Sequence, residues 1–226
     1  MLSNNSFFFV GIAGTGMSAI AQYLKGIGKN VSGSDRLFSK DKKLDTQVKF
    51  EAMGIDCYFQ DGSGITTETD IVVVSTAIEE SNVEYQKALS LGIRIVKRSA
   101  LLAAISESKK TIAVGGTSGK STTTAMIFHI LECAGKSPSL ITGAGLSSLQ
   151  EKGLLGNANG KGKVLELIVG ENHVCRFNGG VCTVAHSGSY VRTGQNRRIV
   201  DAVAHEHNGS VLLADLPQNV EFILGQ

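Results

Sequence analysis

A glycine-rich segment in the middle of the chain has the residue types that bind nucleotide phosphates. It reads Gly-Thr-Ser-Gly-Lys-Ser at residues 116–121. Amides at such glycines can face phosphate oxygens, a lysine can reach the outer phosphates, and a serine hydroxyl can ligate Mg²⁺. The full GxxxxGK[ST] pattern is not met, because Val114 stands five positions before Gly119, where that pattern has glycine. We still predict a phosphate-binding loop, because the alternative, a chance glycine-rich turn, would not need Lys120.

A second glycine cluster lies near the N-terminus. Gly11, Gly14 and Gly16 have the spacing GxxGxG, the inverse of the GxGxxG dinucleotide fingerprint. Asp35 follows about 20 residues later, at the end of the next predicted strand, where a ribose-binding acid normally lies. The alternative for Asp35 is a solvated turn residue. The cluster therefore predicts a site for a nucleotide that carries a diphosphate, and it does not require NAD.

Alternating strands and helices must position both clusters. Apolar, β-prone runs predict strands, and helical periodicity closed by glycine predicts helices. The alternation indicates an α/β fold with a doubly wound parallel sheet, in which a Rossmann-like first domain precedes a partial P-loop domain. The predicted strands cover 7–10, 30–32, 71–74, 93–96, 111–114 and 164–169, and the predicted helices cover 19–24, 83–91, 98–108 and 121–133.

The length and the composition set the outer limits of the interpretation. The 226 residues suit two domains, and a polar Ser-Glu-Ser-Lys-Lys link suggests a boundary between residues 107 and 108.

The balance of 22 basic and 20 acidic side chains gives no reason to expect a nucleic-acid partner. No apolar stretch approaches the ~20 residues that cross a bilayer, so no membrane association is expected. Four cysteines without a CxxC pair, and no signal peptide, favour the cytoplasm. Among 27 glycines, those from Gly143 onward have no predicted role, and the fold of 170–226 is not assigned.

The motifs together resemble the Mur ligases of peptidoglycan synthesis. The resemblance covers residues 7–169. It is carried by the ordered segments 11–18, 32–35 (Ser-Gly-Ser-Asp), 75–78 (Ser-Thr-Ala-Ile) and 116–123.

The resemblance implies a fold, a reaction and a set of site residues. Ligases of this family have a nucleotide-sugar domain, an ATPase domain and a third domain that helps to bind the incoming amino acid. The implied reaction joins L-alanine to UDP-N-acetylmuramate through an acyl phosphate, with ATP and Mg²⁺. The residues carried over for the UDP-sugar are Gly11, Ala13, Gly14, Thr15, Gly16, Met17, Ser18, Asp35, Ser75 and Thr76. Those carried over for the ATP phosphates are Gly116, Thr117, Ser118, Gly119, Lys120, Ser121 and Thr122, with Lys120 also catalytic.

The chain departs from the family pattern at three places. Ser118 stands where most of the similar ligases have histidine, and Ser121 stands where they have threonine. The acidic segment expected after the central strand is missing, so we expect Ser121 to ligate Mg²⁺ with either Glu166 or Glu171 as a second ligand. The chain also has no room for the amino-acid-binding domain, which suggests a fragment.

Two other functions remain open at this stage besides the L-alanine ligase. One is the family's ligase that recycles a murein tripeptide onto UDP-N-acetylmuramate, since it shares these motifs. The other is a UDP-sugar-binding module without ligase activity. An NAD-dependent oxidoreductase is disfavoured by the second phosphate loop.

Overall fold

The computed structural model describes most of the first 162 residues and four later strands. The described residues are 1–39, 42–115, 118–160, 162, 166–169, 175–177, 180–182 and 220–224. They form two compact units, which are described separately below. The first unit contains Met1–Leu102 and Ser139–Lys161, and the second contains Ala103–Pro138 and Gly162–Gln226. Residues 139–161 therefore cluster with the first unit, although they follow the domain boundary predicted at 107/108, and the domain assignment stays a prediction.

Strands and helices alternate through most of residues 6–150, as the sequence predicts, with β3 and β4 as the exception. The first part contains β1 (Ser6–Val10), α1 (Thr15–Gly26), β2 (Asn30–Ser34), α2 (Asp45–Ala52), β3 (Asp56–Tyr58), β4 (Ile71–Val74), α3 (Val83–Ser90), β5 (Arg94–Lys97) and α4 (Arg98–Glu107). The rest contains β6 (Thr111–Gly115), α5 (Lys120–Cys133), β7 (Ser139–Ile141), α6 (Ser147–Gln150), β8 (Ala158–Asn159), β9 (Glu166–Val169), β10 (Cys175–Phe177), β11 (Gly180–Cys182) and β12 (Val220–Leu224).

The first unit is built on a parallel sheet of five strands in the order β3-β2-β1-β4-β5. Phe7, Phe8, Phe9 and Val10 of β1 are all fully buried, as expected for a central strand covered on both faces. The chain moves outward from β1 to β3 and then returns to β4 on the other side of β1. This reversal creates a crevice at the carboxyl ends of β1 and β4, the place where open α/β sheets bind ligands. The predicted α/β class with a Rossmann-like first domain is confirmed.

The second unit also contains a parallel sheet. Its strands β12, β6 and β9 lie in that order, with β6 in the middle. The strand predicted at 164–169 is observed as Glu166–Val169, and β12 comes from the part of the chain that the sequence left unassigned. Strands β10 and β11 form an antiparallel hairpin pair.

Residues 139–161 of the first unit lie so close to α1 that two positions in this contact have room only for glycine. A Cβ on Gly160 would lie 2.2 Å from the carbonyl oxygen of Tyr23, and a Cβ on Gly26 would lie 2.9 Å from the Cα of Gly160. Both contacts are with backbone atoms, which cannot rotate away. Glycine at these two positions therefore allows the segment to pack directly on the helix.

Gly160→Ala is expected to lower the free energy of unfolding by about 1–3 kcal/mol, because the new methyl group must push the segment away from α1. Gly143→Ala is the matched control, since a Cβ at Gly143 meets nothing within 4 Å. Chemical denaturation of both variants measures the difference. Equal stability of the two would contradict the close packing described here.

Candidate functional site

The glycine loop between β1 and α1 is anchored on the end of β2. The amides of Gly11 and Ile12 both donate to the carbonyl oxygen of Ser34, at 2.8 and 2.9 Å. The amide of Ala13 donates to Oδ2 of Asp35 at 3.0 Å. Three consecutive loop amides are thus occupied inside the protein, so they do not face a ligand.

The next amides, at the start of α1, are in a different situation. Gly14 is the N-cap and provides no side-chain cap, and the amide of Ser18 donates to the carbonyl of Gly14 at 2.8 Å. Within the described part of the chain, the amides of Thr15, Gly16 and Met17 have no recorded acceptor. The first amides of a helix point out of its end and carry partial positive charge. These three amides are therefore the donors that the loop offers to a phosphate group.

Asp35 connects the loop to the chain that follows β2. Its side chain is only 6% exposed. Oδ2 accepts from Ala13, and Oδ1 accepts from the amide of Leu37 at 3.0 Å. The carboxylate is thus a buried support of the loop, and this is a different role from the solvated turn weighed as the alternative. Direct contact between Asp35 and a ribose stays a prediction.

Ser75 and Thr76 follow β4, the strand beside β1 at the crevice. The register pairs Phe9 with Val73, so the residues after both strands reach the same edge of the sheet. The Ser75 Oγ accepts from the amide of Ala77 at 3.3 Å, and Thr76 is exposed. The fold therefore brings the predicted segments 11–18 and 75–76 to one crevice.

A buried carboxyl group that sequence reasoning missed supports the same strand end. Glu84, on α3, is fully buried, and its Oε2 accepts a hydrogen bond from the Ser34 hydroxyl. Burial raises the pKa of Glu84 from its ordinary value of 4.5 to about 7. The hydrogen bond from Ser34 opposes this rise, whereas the negative charges of Asp61 and Asp35 add to it. Nothing in the sequence around Glu84 indicated that it would be buried or meet Ser34.

The raised pKa of Glu84 makes folding stability depend on pH. Between about 4.5 and about 7 the native protein binds more protons than the unfolded chain, so stability falls as the pH rises through this range. Glu84→Gln, which keeps a neutral acceptor for Ser34, is expected to remove on the order of 2 kcal/mol of that fall. Denaturation of both proteins at pH 5 and pH 8 measures it. An unchanged pH slope in the variant would show that Glu84 titrates near its ordinary value.

The second glycine loop lies in the second unit, between β6 and α5. Gly119 has a left-handed backbone (φ +73°) and is the N-cap of α5, which begins at Lys120. The amide of Thr123 closes the first turn on the carbonyl of Gly119 at 2.8 Å. Strand, glycine loop and helix are arranged as a phosphate-binding loop requires. Of the predicted residues, Ser118, Gly119 and Thr122 are exposed, Lys120 and Ser121 are half-buried, and Gly116 and Thr117 lie outside the described residues.

The register of β9 bears on the two alternative magnesium ligands. Glu166 pairs with Thr111, at the amino end of β6, whereas the glycine loop follows the carboxyl end of β6. Val114 lies three residue steps along the strand from Thr111, which is about 10 Å. This register disfavours Glu166 and leaves Glu171, which lies outside the described residues, as the preferred prediction. Among the described residues, no group of three or more His, Cys, Asp or Glu side chains could hold a metal ion.

Residues 6–110 match the profile of the Mur ligase family, catalytic domain. This chain carries a Mur ligase family domain. Members of the family are ATP-dependent ligases.

Relatives and solved structures agree with the family. The chain is 39% identical, over 69% of its length, to UDP-N-acetylmuramate–L-alanine ligase of Ruthia magnifica subsp. Calyptogena magnifica, of which it covers 32%. It is similar to the crystal structure of UDP-N-acetylmuramate-alanine ligase MurC from Thermotoga maritima, with a TM-score of 0.61, 30% identity, and coverage of 73% of this chain and 37% of that chain. The fold is shared with the UDP-N-acetylmuramate:L-alanyl-γ-D-glutamyl-meso-diaminopimelate ligase from Neisseria meningitides, with a TM-score of 0.62, 22% identity, and coverage of 77% of this chain and 55% of that chain.

This chain thus spans about a third of the length of the curated relatives that it matches. In the described part of the chain, no helix has the length and apolar character that crossing a membrane demands.

Proposed function

We propose that this chain is the nucleotide-sugar-binding part, and much of the ATP-binding part, of a ligase that joins L-alanine to UDP-N-acetylmuramate. The observation that carries the proposal is the arrangement at the crevice of the first unit. Three amides at the start of α1 have no acceptor among the described residues, and the loop before them is fixed by Ser34 and Asp35. A diphosphate supplies the oxygens that such amides bind, and a negative charge is favoured at a helix N-terminus.

The second unit would supply the phosphoryl-transfer groups. Lys120, the first residue of α5, would contact the outer phosphates of ATP, together with the amides of Ser121 and Thr122. Mg²⁺, when bound, would neutralise phosphate charge, and the Ser121 hydroxyl and Glu171 would be its protein ligands. Phosphoryl transfer depends mainly on positioning and charge neutralisation, which these groups provide.

The proposed reaction has two steps. A carboxylate oxygen of the lactyl group attacks the γ-phosphorus of ATP, the bond to the bridging oxygen breaks, and ADP leaves with its electron pair. The neutral amine of L-alanine then attacks the acyl carbon, loses a proton, and inorganic phosphate leaves. The sparse cysteines support a cytoplasmic location for this chemistry. The acceptor, L-alanine or a peptide, would be chosen largely outside the matched part of the chain.

Calorimetric titration tests the proposal on the chain as it stands. UDP-N-acetylmuramate and ATP with Mg²⁺ are titrated separately, and each is expected to bind at one site. Binding of the nucleotide sugar without any binding of ATP would favour the binding module that lacks ligase activity. Binding of NAD in preference to both would contradict the proposal.

A further inference from the structure

A buried asparagine from the late part of the first unit contacts the first turn of α1. Asn157, which precedes β8, is 6% exposed. Its Nδ2 donates to the carbonyl oxygen of Thr15 at 3.1 Å and to Oγ of Ser18 at 2.8 Å. The Ser18 hydroxyl donates in turn to the carbonyl of Thr15 at 2.9 Å. A single side-chain amide therefore joins the carbonyl and the hydroxyl that lie directly behind the three open amides.

A second buried side chain completes the group. Gln22, also on α1, donates through Nε2 to Oδ1 of Asn157 at 2.6 Å and to the carbonyl of Ser18 at 2.9 Å. Its Oε1 accepts from the amide of Leu155 at 3.4 Å. The backbone of Asn157 is held as well, because its carbonyl accepts from the amide of Thr142 at 2.9 Å. The hydrogen bonds of Asn157 and Gln22 thus connect α1 to the chain around β7 and β8.

The start of α1 needs such support because it lacks the usual one. Helix N-termini are commonly fixed by a side chain of the N-cap residue, and Gly14 has none. Both hydrogens of the Asn157 amide are used within the protein, so this side chain has none left to offer a phosphate. Its effect on a ligand must therefore pass through Thr15 and Ser18.

We propose that Asn157 is a positioning residue of the nucleotide site, which holds the first turn of α1 so that the amides of Thr15, Gly16 and Met17 stay aligned for a diphosphate. The inference rests on the proposed function. It also explains why the chain returns to α1 so late: residues 139–161 pack on the helix through Gly160 and thereby bring Asn157 to its N-terminal turn.

The test compares three variants with the wild type, using UDP as the probe. Asn157→Ala is expected to bind UDP about tenfold more weakly, because the carbonyl of Thr15 and the hydroxyl of Ser18 lose their common donor. Asn157→Ser, which keeps a shorter donor, should show a smaller loss and serves if the alanine variant does not fold. Leu149→Ala is the control for stability alone, since it shortens a buried side chain of α6 and leaves every hydrogen bond of Asn157 in place. It should lower the melting temperature without changing the Kd for UDP.

Amide hydrogen exchange without ligand gives an independent readout. In Asn157→Ala, the exchange rate of the Ser18 amide should rise above its wild-type value by more than the rates of other buried amides of α1. In Leu149→Ala it should show no such selective rise. If the wild type binds UDP and Asn157→Ala binds it equally well, the inference is wrong while the proposed function stands. If the wild type binds no UDP, the proposed function fails and the inference fails with it. Equal weakening in Leu149→Ala would show that Asn157 acts only through stability.

Discussion

Asp35→Ala is expected to weaken binding of UDP-N-acetylmuramate by about 100-fold. The carboxylate accepts from the amides of Ala13 and Leu37, and its removal leaves both amides without their acceptor. Hydrogen bonds to charged groups contribute about 1.5–3 kcal/mol each. A loss of about 3 kcal/mol at the loop corresponds to roughly two orders of magnitude in affinity if the loop must be restored on binding. Calorimetric titration of both proteins measures the change.

Asp35→Asn separates the charge from the shape of this support. The amide oxygen of asparagine can still accept from one of the two backbone amides, whereas its NH₂ group faces the other. We therefore expect Asp35→Asn to bind UDP-N-acetylmuramate with an affinity between those of the wild type and Asp35→Ala. Wild-type affinity in both variants would mean that Ser34 alone holds the loop and that Asp35 has no part in the site.

Lys120→Ala is expected to weaken ATP binding by about 100-fold and leave binding of UDP-N-acetylmuramate unchanged. The reason is local: Lys120 is the first residue of α5 and follows the left-handed Gly119, in a unit of the structure other than the one that contains Gly11–Ser18. A charge-assisted contact with a phosphate that is lost at a partly buried position contributes a few kcal/mol. Fluorescence titration with a labelled ATP analogue in the presence of Mg²⁺ measures the loss.

Lys136→Ala provides the matched control for this experiment. Lys136 is exposed and follows the end of α5, far in sequence from the glycine loop. The substitution Lys136→Ala removes the same charge from the same unit as Lys120→Ala, and it should leave the affinity for ATP within about twofold of the wild type. Equal losses in the two variants would indicate a general charge effect and would contradict a phosphate contact by Lys120.

The sequence predicted best the elements whose pattern is continuous. The strand at 71–74 is observed with the predicted bounds, because an uninterrupted run of Ile and Val suits a strand buried on both faces. By contrast, α2 and β3 were missed. Only Gln47 and Phe50 are buried in α2, so its apolar periodicity is weak, and β3 has three residues, two of them exposed. Such elements form because the sheet edge provides a surface for them, and local sequence carries little sign of it.

The two glycine loops could be predicted from sequence because their residue types and spacing are typical of loops that bind nucleotide phosphates. The groups that support the first loop could not. The carbonyl of Ser34 is a backbone group without any signature, and Asn157 meets Gln22 across 135 residues of chain. The late glycines show the same limit. Gly160 had no predicted role, and only the structure shows that a Cβ at this position would meet the carbonyl oxygen of Tyr23.

We expect the start of α1 to bind the diphosphate of UDP-N-acetylmuramate. An NMR titration of ¹⁵N-labelled protein follows each amide while this ligand is added. We expect saturable shifts that are largest at Thr15, Gly16 and Met17, and smaller shifts at Gly11 and Ile12, whose amides stay bonded to Ser34. Saturable binding with its largest shifts elsewhere, or no saturation at millimolar ligand, would contradict diphosphate binding at the start of α1.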